Sequence, residues 1–317
     1  MRNRLFIVGF LLVAAVLLYA GRDFVQDSGI ATFALTFGGT TAAGILGMVL
    51  YRVQLELRAS RRELAQKQAE LHFAREVQQA LFPQQFPSDG GLEFAGICVP
   101  ASGISGDYYD VLRLDGGRTA FAIADISGKG ISAAILMSNL HAVLRTLAAE
   151  KLPPAIVATR LNKHLHQVTQ GFRFATFFYA EWSPAERRLR YINAGHNAPF
   201  FLGTNGIERL PAGGPPLGIF KEWNFQESRI LIHPGETLVL YSDGVTEAGQ
   251  EMDNEFGEAR LEELVKEAWE DSLEQIQQKV LTALRKWAGQ ELEDDMTLLL
   301  VRGRPSADAG PPSREET

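Results

Sequence analysis

The chain has 317 residues, 46% hydrophobic and 22% charged, so it can bury a sizeable core and is not a disordered polypeptide. A net charge of −7 excludes nucleic acid as the main partner, because binding a phosphate backbone needs a basic face. The single cysteine, Cys98, excludes an intrachain disulfide framework and a cysteine-built zinc site; inside an apolar run it reads as a small core residue in a reducing compartment.

Residues 5–20 carry no charge and follow Arg2 and Arg4, and residues 29–51 form a second uncharged stretch long enough to cross a hydrocarbon core of ~30 Å. Both read as transmembrane helices. The first is short and its arginine-led start also resembles a signal peptide, but Leu18-Tyr19-Ala20 lacks the small-x-small pattern of a cleavage site, so an uncleaved anchor is expected. Arg52, Arg58, Arg61 and Arg62 follow the second stretch, whereas the loop between the two offers only Arg22 as a cation. The positive-inside bias therefore puts both ends of a membrane hairpin (1–51) in the cytoplasm, and the expected location is the inner membrane, multi-pass. Residues 52–82 continue as a polar helical linker. Leu57, Leu64 and Leu71 recur every seven residues, which fits either a short coiled coil joining two copies of the chain or one amphipathic helix lying on the next domain. Pro83 and Pro87 stop the helix.

From Gly91 the pattern is mixed. Strand-like runs occupy 92–99, 108–114, 119–124, 174–182, 189–193, 199–202, 229–232, 237–241 and 296–301; helical periodicity fills 133–150, 154–169, 258–269 and 273–287. Strands come in consecutive groups separated by short turns such as Pro184-Ala185-Glu186 and Thr204-Asn205-Gly206. Such grouping argues for antiparallel pairing, so the expected fold is an α+β sandwich over 83–302. The Pro-, Gly- and Ser-rich tail, 303–317, is expected to be disordered.

Asp107, Asp125, Asp243 and the Asp294–Asp295 pair each sit where an apolar run meets a turn. Turn chemistry explains any one of them alone. Together they suggest one metal site, because clustered carboxylates repel by roughly 4 kcal/mol per pair at ~4 Å and an effective dielectric of ~20, and their oxygens suit Mn²⁺ or Mg²⁺ rather than zinc. The segment Asp125-Ile126-Ser127-Gly128-Lys129-Gly130 is not a P-loop, since Ile123 stands where the first glycine is needed. A nucleotide cyclase would need a second metal-binding aspartate a few tens of residues on, and none occurs between Asp125 and Asp243. His164 and His166 point to different faces of a helix and make a poor metal pair. His196, at a strand end, could act as a general acid or bond its own turn. The 213–218 segment is a tight loop.

Seven blocks in order carry a specific resemblance: Arg75-Glu76-Val77-Gln78 through Leu81-Phe82-Pro83, Ser105-Gly106-Asp107-Tyr108-Tyr109-Asp110, Ala124-Asp125-Ile126-Ser127-Gly128-Lys129-Gly130, Asn193-Ala194-Gly195-His196-Asn197, Gly213-Gly214-Pro215-Pro216-Leu217-Gly218, Tyr241-Ser242-Asp243-Gly244-Val245-Thr246-Glu247 and Asp294-Asp295-Met296-Thr297. Over roughly 74–302 the chain resembles the SpoIIE-type bacterial branch of the metal-dependent, protein phosphatase 2C-like phosphatases. The resemblance implies two antiparallel sheets packed face to face, helices outside, and two Mn²⁺ or Mg²⁺ ions at one edge. Matching motif to motif, Asp125 would bridge both ions, with the Ile126 carbonyl, Asp243 and Asp294 as further ligands and Asp107 beside the second ion; Asp295 completes the expected set, although the superfamily varies there and at Asp110. Asp125 and Asp243 are the expected catalytic residues. The implied activity is hydrolysis of phosphoserine or phosphothreonine by in-line attack of a metal-bridging water, with a phosphorylated anti-sigma-factor antagonist as substrate. The alternatives are a catalytically silent signalling scaffold on the same fold and a class III-like nucleotide cyclase. No arginine here matches the one that eukaryotic members use for the substrate phosphate.

Overall fold

The computed structural model describes residues 29–87, 90–204, 206–249, 255–289 and 292–305, together with Val13, Ala15, Val16 and Tyr19. The chain forms two compact units, Met1–Glu70 and Leu71–Thr317. Of the expected first span only those four residues are described, all helical, and most of the expected disordered tail lies outside the described residues.

Helix α1 runs unbroken over Gly29–Gln79. No glycine or proline occurs between Gly47 and Pro83, so nothing in the sequence separates the uncharged stretch from the polar one. Its apolar part is long and apolar enough to cross a membrane, and none of that part is buried by protein.

The second unit is a sandwich. Its strands are β1 (Leu92–Val99), β2 (Tyr108–Arg113), β3 (Thr119–Ile126), β4 (Ala175–Ser183), β5 (Arg188–Ala194), β6 (Phe200–Gly203), β7 (Gly206–Arg209), β8 (Ser228–Leu231), β9 (Thr237–Tyr241) and β10 (Met296–Gly303). One sheet has the order β1-β10-β9-β6-β7 and the other β2-β3-β4-β5-β8, with every pairing antiparallel. The helices are α2 (Ile131–Ala149), α3 (Pro154–Thr169), the single turn α4 (Asp243–Thr246), α5 (Glu258–Glu267) and α6 (Leu273–Ala288).

Side-chain alternation explains the layers. On β3, Phe121 and Ile123 face the other sheet and meet Leu240 and Leu299 there, whereas Ala120, Ala122 and Ala124 face α2 and α3. On β10, Leu299 and Val301 point inward while Leu298 and Leu300 pack under α5 and α6. Strands buried on both faces read as continuous apolar runs, which is how β3, β9 and β10 show in the sequence. Helix α6 opens with a capping box formed by Ser272 and Gln275. Strand β7 is a feature the sequence hid. It is an edge strand with alternating exposure whose main apolar contact is Ile207, too short and too polar to stand out. The expected α+β class and its antiparallel sheets are what the structure shows.

Candidate metal centre

Pairing register brings the aspartates to one edge. Tyr108 pairs with Ala124, so Asp107, just before β2, comes opposite Asp125 near the end of β3. In the other sheet Leu298 pairs with Tyr241, so Asp243, after β9, and Asp294–Asp295, before β10, lie side by side. Ser242 N–H donates to the Thr297 carbonyl (3.0 Å), and Thr297 N–H donates to Ser242 Oγ (2.9 Å), locking those two strand ends together. Gly244, first after Asp243, allows the closest approach: a Cβ there would run into the Asp295 carbonyl, 2.9 Å from its carbon.

The second sheet reaches across to the first through Asp295. Its Oδ1 accepts from Ala101 N–H (2.9 Å) and its Oδ2 from Gly106 N–H (2.7 Å), so Asp295 pins the loop that carries Asp107. Gly106 in turn lies against the Ile126 carbonyl, where a Cβ would fall 3.2 Å from that oxygen. Asp294 Oδ1 accepts from Asp295 N–H (2.8 Å), and its Oδ2 pairs with Lys129 Nζ at 2.8 Å. Lys129 also donates to the Glu293 carbonyl (2.9 Å). A cleft of about 140 Å³ opens beside this pair, lined by Lys129, Gly244, Glu247 and Asp294 among others.

Burial and mutual repulsion dominate the electrostatics. Burial, then Asp243, Asp294 and Asp295, push Asp125 up to about 7, against a hydrogen bond with Asp107. Asp107 is raised well above the carboxylate range by burial and then by Asp125, with the Ser242 and Thr297 hydroxyls opposing. Asp243 is raised by burial and then by Asp294, with the amides at the start of α4 opposing. These shifts link Asp107, Asp125, Asp243 and Asp294 as one coupled cluster. Asp107 Oδ2 is buried without a hydrogen-bond partner.

A pair of hard divalent cations fits this set by its chemistry: every donor is oxygen, negative charge is in excess, and one buried carboxylate oxygen is unsatisfied. Among the described residues, no three acidic, histidine or cysteine side chains already close round a single point. Asp294 instead holds Lys129, and Asp295 holds backbone amides.

Other residues singled out by sequence have plain structural positions. Asp110 is fully buried and held by Arg145, whose Nε and second terminal nitrogen donate at 2.8 and 3.0 Å, and by the Tyr108 hydroxyl at 2.8 Å. His164 and His166 go separate ways, to Asn139 Oδ1 and to the Gly218 carbonyl. Burial pushes the Cys98 thiol up to about 12, which removes it as a nucleophile. Burial pushes His196 down to about 4, so the ring is neutral at pH 7. Sequence reasoning missed Lys129, although it lies inside a quoted motif. It also missed Gln78, whose side chain bonds both Ser105 main-chain groups at 2.7 and 2.8 Å.

A family model described as Stage II sporulation protein E (SpoIIE) matches residues 115–304, more than half of the chain. The phosphoserine phosphatase RsbU of Bacillus subtilis (strain 168) is 32% identical over 255 residues, covering 80% of this chain and 74% of that protein. The PP2C domain of SiaA from Pseudomonas aeruginosa superposes with a TM-score of 0.66 at 18% identity, over 75% of this chain and 98% of that one. RsbX in complex with magnesium superposes with a TM-score of 0.53 at 15% identity, over 69% and 98% of the two chains. At those identities the two solved structures speak for the fold, and the sequence matches speak for descent. The chain belongs to the SpoIIE-type branch of the metal-dependent, protein phosphatase 2C-like superfamily, a branch of serine/threonine protein phosphatases.

Proposed function

We propose that the chain is a membrane-anchored phosphatase that uses two Mn²⁺ or Mg²⁺ ions to hydrolyse phosphoserine or phosphothreonine on a cytoplasmic regulatory protein, an anti-sigma-factor antagonist. One observation carries the reading: Asp107, Asp125, Asp243 and Asp294, drawn from both sheets, form one repelling cluster with an unsatisfied oxygen inside it. The magnesium complex of RsbX and the activity named for RsbU support the ion class and the substrate class.

Bound in this cluster, the ions would supply positive charge against the phosphoryl oxygens and lower the pKa of a water. The protein's own residues do the rest. Asp107, Asp125, Asp243, Asp294 and the Ile126 carbonyl are the holding groups. Asp295 fixes the Asp107 loop by its two amide bonds. Lys129, whose side chain is 62% exposed, holds Asp294 at the mouth of the cleft and is the cation placed to meet an incoming phosphate.

Membrane anchoring is supported by α1, where Phe33, Phe37 and Met48 are each more than 60% exposed to surroundings that protein does not cover. Leu57, Leu64 and Leu71 are likewise exposed along the linker, which supports pairing with a second copy. The test uses the full-length chain in detergent. With Mn²⁺ it should release phosphate from a phosphoserine protein, and chelator or Asp125→Asn should abolish release. Undiminished turnover in either case would overturn the proposal.

A further inference from the structure

Two sequence motifs take no part in the centre described above, the Asn193–Asn197 turn and the 213–218 loop, and they form one structure at its rim. Gly213 N–H donates to the Asn193 carbonyl (2.8 Å), Ala194 bridges to Gly214, and Leu217 exchanges both backbone hydrogen bonds with Ala175 (2.9 and 2.7 Å). Pro216 packs so closely on Gly195 that a Cβ there would fall 2.5 Å from its Cδ. Asn193 Oδ1 accepts from His196 N–H (2.8 Å), and the imidazole that follows is only 4% exposed.

The ring lies beneath the turn that follows β5. On one side Nδ1 is 2.9 Å from the Thr176 hydroxyl. Thr176 is the register partner of Asp125 across β3 and β4, so the two side chains leave the sheet on the same face with their Cβ atoms ~5 Å apart. On the other side Nε2 is buried without a hydrogen-bond partner.

We propose that His196 is a positioning residue: its ring holds the Thr176 hydroxyl, and so fixes the side chain that stands beside Asp125 at the end of β3. The rest of the face that Thr176 and Asp125 share is apolar, and apolar attraction has no direction and tolerates small slips. A buried polar contact does not tolerate them. The Asn193 and Pro216 contacts explain why the motif surrounds the histidine: they hold the turn so that the ring enters from one angle.

This inference rests on the metal-centre reading, and the test separates the two. In the full-length chain in detergent, Thr176→Val removes the hydroxyl at nearly constant volume and Thr176→Ser keeps it. Calorimetric Mn²⁺ affinity should fall about 10- to 100-fold in Thr176→Val, the usual scale for partners behind metal ligands, and recover in Thr176→Ser. His196→Ala should lose as much, and adding Thr176→Val to it should cost nothing more. In the metal-free chain, ¹⁵N signals of the His196 ring should move in Thr176→Val and return in Thr176→Ser. Wild-type affinity in Thr176→Val would overturn the inference while sparing the metal centre. So would a loss that Thr176→Ser does not restore, since that traces to packing. A wild-type chain that takes up no Mn²⁺ would overturn the metal centre and this inference with it.

Discussion

Replacing Gly244 by alanine sets two effects against each other. Gly244 lies in the single turn α4, where alanine is the better helix former by ~1 kcal/mol. Propensity alone therefore predicts a more stable protein. The new Cβ, however, would overlap the Asp295 carbonyl oxygen and sit 2.9 Å from its carbon, both of them backbone atoms that cannot rotate away. Ordinary contact requires the Asp243 turn and the Asp294–Asp295 segment to part by roughly 1 Å, and overpacking of that kind costs about 1–3 kcal/mol. The contact outweighs the propensity gain by up to about 2 kcal/mol, or a fall of up to about 8 °C in thermal midpoint for a domain of this size. The same displacement separates two proposed ligand groups. A misplacement near 1 Å typically costs on the order of 10²-fold in rate, so Mn²⁺-dependent turnover should drop by about that factor. Differential scanning calorimetry and phosphate release on the full-length chain check both numbers. A Gly244→Ala protein that melts higher than wild type and keeps full turnover would refute the close approach and its role.

Asp125 sets a pH dependence in chelator. Its carboxyl, ordinarily at 3.8, is pushed up to about 7 in the fold, so below pH ~4 both folded and unfolded states hold the proton and the group contributes nothing. Between pH ~4 and 7 the unfolded chain ionises first, and above 7 the penalty is complete. The chelated chain should therefore lose stability as pH rises from 5 to 8, by at most about 3 kcal/mol. Thermal midpoints should show this slope in wild type and a flatter one in Asp125→Asn; equal slopes would contradict it. Gln78→Ala leaves both Ser105 main-chain groups without their buried partner and should cost about 2 kcal/mol, with faster hydrogen exchange at the Ser105 amide; an unchanged exchange rate would contradict the tie. Arg145→Met strands the buried Asp110 carboxylate. Because the Arg145 side chain is 46% exposed, the loss should be about 2–3 kcal/mol rather than the full cost of a buried pair, and a stable variant would show that the Tyr108 hydroxyl suffices.

The acid-bearing strand ends could be read from sequence because β3, β9 and β10 are buried on both faces, and their apolar runs stop abruptly at Asp125, at Ser242 before Asp243, and after Asp295. Edge strand β7 could not, since one packed side chain leaves no periodic signal. Nor could the partners of the polar residues. Asp295 finds Ala101 and Gly106 nearly two hundred positions away, and His196 finds Thr176 through a register that no local pattern encodes. Lys129 could be read as part of a glycine-flanked turn, but its pairing with Asp294 depends on how the two sheets meet. Helix α1 shows the opposite case: with no breaker between Gly47 and Pro83, its continuity was visible in the sequence although its two halves differ in composition.

The most direct test is anomalous diffraction at the manganese edge from crystals of the full-length chain grown with Mn²⁺. Two peaks should fall among the carboxylates of Asp125, Asp243, Asp294 and Asp107, with oxygen contacts near ~2.0–2.6 Å and Lys129 displaced from Asp294. Peaks elsewhere on the surface, with Asp125 and Asp243 left without a metal, would contradict a shared cation site.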